Sequence, residues 1–443
     1  MAKKPFTSII SWLFLVAVLL AFCSIAARAV IKEVLIEGLG MDNALTQKAF
    51  PAGDGGGKVQ VTGDDGSTDW SLTYPFQEQS ATVQVSFLQE LENRVTEAET
   101  ALTDYCKQML PYYDTLVTQT SAMQEKIGWN ITAYPEYNAI AQVTGDYYAT
   151  VLEKQDMTEN IRSVSLLQEY CESLGTGFLY VQAPYKICKY TDNVVGDFSN
   201  ENADALVAGL EAEGVAYIDM REEIHNAGYD HHSLFFVTDS HWKPRTGLWA
   251  TGVIAQRLND LYGCDIPLTY FEQDQYTAQV YEDWFLGSQG KRLTLARANP
   301  EDIELLYPTY PTDLRFYAPA LGVDLTGDFS VVYDMKHIET KNYMYLTPYS
   351  AYAHSDSAVV RYENHLAPND TKILLIKDSF ANVVAPFLSQ GVAQLDLLDL
   401  RYFNGSVETY IAETQPDVVM VLYNPGNLKE IDWDTHLSTF DFR

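Results

Sequence analysis

From about residue 145 onward, short runs of apolar residues alternate with stretches of helical periodicity. The run Ile373–Ile376 has four aliphatic residues in succession, which suits a strand buried on both faces. Strands that alternate with helices indicate βαβ units, so the sequence predicts an α/β domain with a mainly parallel sheet. The predicted strands are Phe178–Val181, Val215–Asp219, Lys372–Ile376, Gln394–Leu398 and Val418–Leu422. The predicted helices are Ala203–Glu213, Thr246–Leu261, Ala381–Gln390 and Val407–Thr414.

One stretch within this domain departs from the pattern. Between Pro267 and Tyr362 the alternation of strands and helices is lost, and tyrosines are frequent. Tyrosine is favoured on half-buried strand surfaces. We therefore predict an insertion or an irregular, partly antiparallel region at this point.

The N-terminal segment is apolar and flanked by basic residues. Lys3 and Lys4 precede an almost uncharged run from Phe6 to Ala27, which is long enough to cross a bilayer as a helix. Basic residues before such a run favour a cytoplasmic N-terminus and an extracytoplasmic remainder. We expect an uncleaved single-pass anchor at residues 1–30. Cleavage as a signal peptide near Ala27–Ala29, giving a secreted protein, is the alternative.

Two further segments separate this anchor from the predicted domain. Residues 31–80 are rich in Gly and Asp and predict a linker. Residues 81–145 predict a helical stem, because apolar residues recur there at steps of three and four until Pro111. The catalytic domain is then expected at residues 146–443. The apolar stripe of the stem consists of Phe87, Leu91, Val95, Ala98, Leu102, Tyr105 and Met109.

Charge and cysteine content exclude some functions. The chain has 29 basic and 60 acidic residues, a formal net charge of -31, which repels nucleic-acid backbones. Its five cysteines show no CxxC or other metal-ligand spacing. Outside the apolar segment, Cys106, Cys171, Cys188 and Cys264 could pair in three ways or be free thiols. We assign no nucleic-acid partner, no cofactor and no metal.

The first candidate catalytic residues lie in the segment Phe236–Trp242. Asp239 and His241, two positions apart, can point to the same side if the backbone is extended. A carboxylate beside an imidazole fixes its tautomer and stabilises the imidazolium, as in a nucleophilic triad. A structural hydrogen bond is the alternative. A metal site that includes His231 and His232 is less favoured, because adjacent residues of an extended chain point to opposite sides.

The second candidate is Ser379. It follows the aliphatic run Ile373–Ile376 and precedes a predicted helix. The carboxyl end of a parallel strand is where open α/β sheets bind ligands, and the N–H groups of a helix start can stabilise an oxyanion. Capping of the helix by Asp378 or Ser379 is the structural alternative.

Four sequence segments together resemble the DHHW family, which is related to the alginate O-acetyltransferase group (AlgX/AlgJ-like). They are Thr238–Trp242, Phe285–Arg292, Lys377–Phe380 and Asp399–Tyr402, in the order seen in that family. Ser240 stands where the family name has a histidine. The resemblance covers roughly residues 150–430 and implies an SGNH-hydrolase-like three-layer domain.

The resemblance also implies residue roles. Ser379 would be the nucleophile, His241 the general base and then acid, and Asp239 its orienting partner. The serine follows the Asp–His pair in the chain, which changes nothing physically because a triad is defined in space. Further oxyanion or substrate-binding candidates are the Ser379 N–H, Arg401, Tyr402 and Asn424. An ion pair, packing and a turn are the respective alternatives for the last three.

The function implied is O-acyl transfer, most simply O-acetyl transfer, to a cell-envelope polysaccharide outside the cytoplasm. A membrane-bound acyltransferase could supply the acyl group, and the N-terminal helix would hold the protein at the membrane. The same residues would serve an esterase that deacetylates glycans, with water as the acceptor. A non-catalytic glycan-binding or scaffold protein on the same fold is the third possibility.

Overall fold

The computed structural model of this protein describes residues 113–126, 140–343, 345–431 and 438–442. The predicted anchor (1–30), the linker (31–80) and the apolar stripe of the stem lie outside these ranges. Among the helices within these ranges, none is both long and apolar enough to cross a membrane.

The described elements alternate between helices and strands up to about residue 262 and are richer in strands afterwards. The α-helices are α1 (Tyr113–Lys126), α2 (Thr158–Ser173), α3 (Ser199–Ala212), α4 (Met220–Asn226), α5 (Pro244–Tyr262), α6 (Ser288–Leu293), α7 (Ala385–Leu388) and α8 (Val407–Thr414). The strands are β1 (Ile140–Gln142), β2 (Tyr148–Thr150), β3 (Gly177–Gln182), β4 (Tyr217–Asp219), β5 (Tyr276–Phe285), β6 (Glu301–Pro308), β7 (Leu314–Ala318), β8 (Val323–Gly327), β9 (Val359–Asn364), β10 (Lys372–Lys377), β11 (Gln394–Leu398) and β12 (Val418–Tyr423). Short 3₁₀ helices include His232–Leu234, Pro348–Ala351, Ser379–Val383, Ser389–Gly391 and Pro425–Asn427.

An eight-stranded sheet forms the centre of the described domain. Its order is β4-β3-β12-β10-β11-β9-β7-β8. Neighbours from β4 to β11 are parallel, whereas β9, β7 and β8 are joined to one another and to β11 in antiparallel register. Strands β1 and β2 form a separate hairpin, and β5 pairs with β6. The prediction of an α/β domain with a mainly parallel sheet is confirmed.

All five predicted strands are present in the parallel part, although β4 begins two residues later than predicted. The irregular stretch from Pro267 to Tyr362 supplies the antiparallel strands β5 to β9, as expected. The predicted helix Ala381–Gln390 is wrong as a single element. It is divided into two 3₁₀ segments and the four-residue α7, which contains Pro386. Proline lacks an N–H group and cannot continue the ladder of a preceding helix.

Both faces of the sheet are buried. Leu179 of β3 and Met420 of β12 lie in the same apolar cluster as Ile254 of α5. Their chain neighbours Phe178 and Val419 are also buried and point to the opposite face, because side chains alternate along a strand. Helix α2 packs against β3 and α3. This double burial explains why the parallel strands are apolar at successive positions.

The carboxyl ends of β10 and β12 lie side by side and carry polar residues. Asp378 and Ser379 follow β10, and Asn424 follows β12. Helix α5 packs directly on the segment after β10: a Cβ atom at Gly247 would lie 2.1 Å from the Val383 carbonyl oxygen. The close approach brings the residues that precede α5 to the edge of the sheet where Ser379 lies.

The described cysteines Cys171, Cys188 and Cys264 are buried free thiols. Burial raises the pKa of Cys171 to about 12 and that of Cys264 to about 11. Of the two alternatives left by the sequence, the free form therefore applies to these three residues. Cys106 lies outside the described ranges.

Candidate active site

Ser379, His241 and Asp239 form a continuous hydrogen-bonded chain. The Ser379 Oγ lies 2.7 Å from the His241 Nε2, and the Asp239 Oδ1 lies 2.5 Å from the His241 Nδ1. Asp239 is buried, whereas His241 and Ser379 are partly exposed. A nucleophile, a base and an orienting carboxylate thus lie in the order that a serine triad requires, with the hydroxyl accessible to a substrate.

The backbone around Asp239 is a turn and not the extended segment on which the sequence argument depended. Phe235 and Trp242 form an isolated antiparallel bridge, and the residues between them bend back on themselves. The Asp239 Oδ1 also accepts a hydrogen bond from the His241 N–H at 3.1 Å. An aspartate that binds the backbone two residues ahead stabilises a turn. The same oxygen therefore fixes both the turn and the imidazole.

Helix α6 holds the other oxygen of the carboxylate. The Ser288 N–H donates to the Asp239 Oδ2 at 2.7 Å. The Gly287 backbone lies so close that a Cβ there would be 2.2 Å from the Asp239 Cβ. Burial acts to raise the pKa of Asp239, but the His241 charge and the hydrogen bonds from His241 and Ser288 outweigh it and hold that pKa well below its usual value. Asp239 is therefore an anion at neutral pH.

Asp378 supports the turn that carries Ser379. Its Oδ1 accepts from the Phe380 N–H at 2.8 Å. Its Oδ2 accepts from the Asn424 N–H at 2.6 Å and from the side-chain amides of Asn424 and Asn427 at 2.7 and 2.8 Å. Burial raises the pKa of Asp378, while these hydrogen bonds act in the opposite direction. Capping by Asp378, named above as a structural alternative, is thus present beside the triad.

Two aromatic side chains connect the histidine segment to the serine segment. The Tyr349 ring stacks on the His241 ring at 4.0 Å between centroids, and its hydroxyl donates to the Ser379 carbonyl oxygen at 3.0 Å. The Trp242 Nε1 donates to the Phe380 carbonyl oxygen at 2.9 Å. Tyr349 and Trp242 are both buried. These contacts keep the imidazole aligned with the hydroxyl.

The Ser379 N–H group is free to act as an oxyanion donor: it donates to no acceptor among the described residues. The N–H groups of Phe380 and Ala381 behind it bind the Asp378 side chain and carbonyl oxygen. The structure assigns Asn424 a different partner from the one expected. Its side-chain amide donates to Asp378, and its Oδ1 accepts from the Gly426 N–H. It supports the serine turn and also shapes the turn after β12.

Arg401 lies in a network of ion pairs at the same edge of the sheet. Its guanidinium binds Asp399 through two hydrogen bonds and contacts Asp356 at 3.0 Å. The buried Lys377 binds the same Asp356 at 2.6 Å. Tyr402 is 54% exposed, and the Arg401 guanidinium lies 5.5 Å from its ring centre. Arg401 therefore has the ion-pair role left open by the sequence, and Tyr402 presents an open ring to solvent.

The histidines of the alternative metal site do not converge. The His231 Nε2 binds the Tyr185 carbonyl oxygen, and the His232 Nε2 binds Asp192. Within the described ranges no group of three His, Cys, Asp or Glu side chains is arranged to hold a metal ion.

Sequence comparison identifies the domain that holds the Asp–His pair. Residues 143–290 match the family model for the SGNH hydrolase-like domain of the acetyltransferase AlgX. Residues 143–290 are therefore similar to an SGNH hydrolase-like domain of the AlgX type. The resemblance predicted from the motifs is confirmed. No curated protein matches the chain.

The matched segment of the AlgX-type domain includes Asp239, His241 and the Gly287–Gly290 stretch that supports them. Ser379 follows 89 residues after the matched segment ends at residue 290. The link between the serine and the matched segment is therefore the 2.7 Å contact with His241.

Two structures of Bacillus cereus PatB1 share the fold of this chain. A structure of Bacillus cereus PatB1 has a TM-score of 0.56 at 19% identity and covers 68% of this chain and 99% of PatB1. A second PatB1 structure, with a sulfonyl adduct, has a TM-score of 0.54 at 18% identity and covers 68% of this chain and 100% of PatB1. A DHHW family protein from Eubacterium siraeum has a TM-score of 0.47 at 16% identity and covers 67% of this chain and 93% of that protein.

Sequence reasoning missed several supports of the AlgX-type site. Trp242 and Gly287 belong to the motifs quoted above, so they could have been singled out, but no rule of spacing predicts what they contact. Tyr349 is one of many tyrosines between Pro267 and Tyr362, which could stack on sugar rings or pack in the fold, and nothing in the sequence distinguishes it from the others. Lys186 binds the Val237 carbonyl oxygen and the Gln289 side chain beside Asp239. It could not be singled out from the sequence, because a single lysine after a strand forms no motif.

Proposed function

We propose that this protein is an O-acyltransferase, most simply an O-acetyltransferase, that modifies a cell-envelope polysaccharide through an acyl-enzyme at Ser379. The observation that carries the proposal is the 2.7 Å contact between the Ser379 Oγ and the His241 Nε2, with Asp239 on the other ring nitrogen. The match to a domain of an acetyltransferase supports acyl transfer as the reaction class.

In the first half-reaction, the Ser379 Oγ attacks the acyl carbonyl carbon while its proton passes to the His241 Nε2. The oxyanion that forms is held by the free Ser379 N–H, and Asp239 stabilises the imidazolium. The bond from the carbonyl carbon to the donor oxygen then breaks, and His241 returns the proton to that oxygen. The acetyl group is left on Ser379.

In the second half-reaction, His241 removes a proton from a sugar hydroxyl, which attacks the acyl-enzyme. The ester bond to Ser379 breaks, and the proton returns to its Oγ. The open ring of Tyr402 and the guanidinium of Arg401 flank this edge of the sheet and are candidates for contact with the acceptor. Aromatic faces suit the apolar faces of sugar rings.

The proposed location is the extracytoplasmic face of the cell membrane. The support is the sequence alone: the basic residues Lys3 and Lys4 and the apolar run from Phe6 to Ala27. Cleavage of that segment would make the protein secreted. In either case acetyl groups must reach the outside of the membrane, so a membrane-bound acyltransferase is the proposed source of the acyl donor.

The proposal is tested with purified full-length protein and a chromogenic acetyl ester. We expect a burst of product equal to the enzyme present, followed by slow turnover. The Ser379→Ala variant should lose the burst and roughly a millionfold in kcat, because removal of the nucleophile of a triad leaves only binding and oxyanion stabilisation. Ser240→Ala, a serine of the adjacent turn, is the matched control and should keep the wild-type burst.

An unchanged burst in Ser379→Ala would contradict the proposed nucleophile. One PatB1 structure carries a sulfonyl adduct, so a sulfonyl fluoride is a second probe. It should label Ser379 in the wild type and leave the Ser379→Ala variant unlabelled.

A measurement in cells distinguishes acyl transfer to the polysaccharide from hydrolysis of its esters. Deletion of the gene should lower the acetyl content of the envelope polysaccharide, and the wild-type gene, but not the Ser379→Ala gene, should restore it. A rise in acetyl content on deletion would instead identify a deacetylating esterase.

A further inference from the structure

Lys186 is a fully buried lysine in the loop after β3, and the proposed reaction does not use it. A buried ammonium group loses its hydration and is stable only where polar groups replace the water. Its Nζ donates to the Val237 carbonyl oxygen at 3.1 Å and to the Gln289 Oε1 at 2.9 Å. The partners of this ammonium group indicate its role.

Both partners flank Asp239. Val237 lies two residues before it in the turn, and Gln289 follows Ser288, whose N–H binds the Asp239 carboxylate. Two more bonds join the same segments, from the Gly290 N–H to the Thr238 carbonyl oxygen and from the Gly287 N–H to the Thr238 Oγ1. The Lys186 ammonium therefore bridges the turn and helix α6, the two elements that hold the carboxylate.

Glu301, the first residue of β6, binds the same turn through its donors. It accepts hydrogen bonds from the N–H groups of Val237 and Thr238 at 2.8 and 2.7 Å and from the Thr238 Oγ1 at 2.6 Å. Lys186 thus binds a carbonyl of the turn, and Glu301 binds its amides. Two groups of opposite charge fix the backbone that leads into Asp239.

These charges perturb one another. Burial lowers the pKa of Lys186 to about 7, against the opposing effect of the Asp239 and Glu301 carboxylates. Burial also raises the pKa of Glu301, although its hydrogen bonds from Thr238 and Val237 and the charge of Lys186 act against this. The charge of His241, in the same turn, lowers the pKa of Asp239. The Asp239 carboxylate in turn acts to raise the pKa values of Lys186 in the loop after β3, Lys291 of α6 and Tyr349 of the 3₁₀ helix Pro348–Ala351. Glu301 of β6 interacts electrostatically with Lys186.

We propose that Lys186 is a positioning residue for Asp239, which ties the turn to helix α6 so that the carboxylate stays against the His241 imidazole. The role rests on the Ser379–His241–Asp239 mechanism proposed above. Among the described residues, Lys186 makes no hydrogen bond to the side chain of Ser379, His241 or Asp239. It therefore acts on the reaction only through the placement and charge of Asp239.

The test compares Lys186→Met with the wild type in acetyl-ester hydrolysis by the full-length protein. Methionine keeps an unbranched apolar chain and removes the ammonium group. We expect kcat to fall roughly 10- to 100-fold while KM changes by less than about twofold, because a misplaced catalytic group slows chemistry without weakening binding. The matched control is Lys189→Met in the same loop. It removes ion pairs with Asp204 and Glu222 and a contact with the Tyr190 ring, none of which involves the Asp239 turn, and should leave kcat unchanged.

The pH–rate profile separates this role from a merely structural one. The Lys186 ammonium group places a positive charge near the Asp–His pair, and loss of that charge favours protonation of the pair. The acid limb of kcat/KM in Lys186→Met should therefore shift to higher pH. Glu301→Gln removes a negative charge and should shift the limb to lower pH. The double variant should return the limb toward the wild-type position.

A folded Lys186→Met variant with wild-type kcat and an unchanged acid limb overturns the inference, as do equal losses in Lys186→Met and Lys189→Met. If Lys186→Met does not fold, Gln289→Leu replaces it, because it keeps the ammonium group and removes the tie from Lys186 to α6, together with one long hydrogen bond from Gln289 to the Thr150 Oγ1 at 3.4 Å. It should lose roughly tenfold in kcat, and a wild-type kcat there also overturns the inference. Ser379→Ala, assayed in parallel, separates the two proposals: activity in that variant contradicts the mechanism itself, whereas its inactivity beside a fully active Lys186→Met contradicts only the positioning role.

Discussion

Ser379 and the Asp239–His241 pair meet at one edge of the sheet, but they are supported in different ways. Ser379 directly follows β10, which lies between β12 and β11 in the parallel part of the sheet. Asp239 and His241 lie on an irregular turn whose shape depends on contacts with α6, β6 and the loop that carries Lys186. The serine half is placed by backbone topology, and the histidine half by side chains that are distant in the chain.

This difference has a consequence for substitutions. Supports of the serine half are part of the sheet edge and its buried hydrogen bonds, so their loss should appear mainly as lost stability. Supports of the histidine half act on a local turn, so their loss should appear mainly as lost activity. Three substitutions test this contrast.

The largest loss of stability is expected for Asp378→Ala. The change leaves four donors without their acceptor: three buried donors from Phe380 and Asn424 and one partly buried donor from Asn427. Each unsatisfied buried donor costs about 1–3 kcal/mol before relaxation and water entry, so we expect the free energy of unfolding to fall by about 3–5 kcal/mol. Denaturant unfolding of the full-length protein measures this.

The control for Asp378→Ala is Asp328→Ala. Asp328 is an exposed aspartate that caps another 3₁₀ helix through the Ser330 N–H. Loss of a cap alone costs about 1 kcal/mol. Equal losses of stability in the two variants would show that the Asn424 and Asn427 contacts do not stabilise the fold. The prediction that supports of the serine half act mainly on stability would then be contradicted.

An intermediate loss of stability, with a large loss of activity, is expected for Gly287→Ala. The new Cβ would lie 2.2 Å from the Asp239 Cβ and 2.5 Å from the Thr238 carbonyl oxygen, so the turn or α6 must shift. We expect a cost of about 1–3 kcal/mol in stability and roughly a 100-fold fall in kcat for acetyl-ester hydrolysis.

Gly252→Ala in α5 is the matched control for Gly287→Ala, because the nearest atom to its new Cβ is 3.4 Å away. Alanine in a helix is more stable than glycine by about 0.5–1 kcal/mol, so this variant should be at least as stable as the wild type, with full activity. Wild-type kcat in Gly287→Ala would contradict the dependence of Asp239 on α6.

The smallest effect is expected for Tyr349→Phe, which alters the contact between the two halves. The ring that stacks on His241 is kept, and only the hydrogen bond to the Ser379 carbonyl oxygen is lost. We expect a loss of about 1 kcal/mol in stability and a fall in kcat of a few fold.

Tyr349→Leu, which removes the stacked ring as well, should lower kcat further than Tyr349→Phe. If the two variants have the same kcat, the stacked ring does not help to align His241, and the hydroxyl is the only functional part of Tyr349.

The same contrast explains which elements could be predicted from sequence. The parallel strands were recognised because burial on both faces requires aliphatic residues at successive positions, as in Ile373–Ile376 of β10. The helix after Ser379 was predicted as one element from its apolar residues, although Pro386 within it is a sequence signal of a break. The close packing of this segment on Gly247 has no such signal. The pattern of apolar residues predicts whether a segment is buried, but it predicts poorly where the segment bends.

The sequence by itself determined the α/β class, the parallel strands and the three residue types of a serine triad, because these depend on periodicity and on local chemistry. Only the tertiary structure decided that His241 and Ser379, 138 residues apart, lie within hydrogen-bond distance. It also decided that Asn424 and Arg401 bind aspartates and that Lys186 and Tyr349 support the site. Such contacts join segments that are distant in the chain, and a pattern of neighbouring residues carries no record of them.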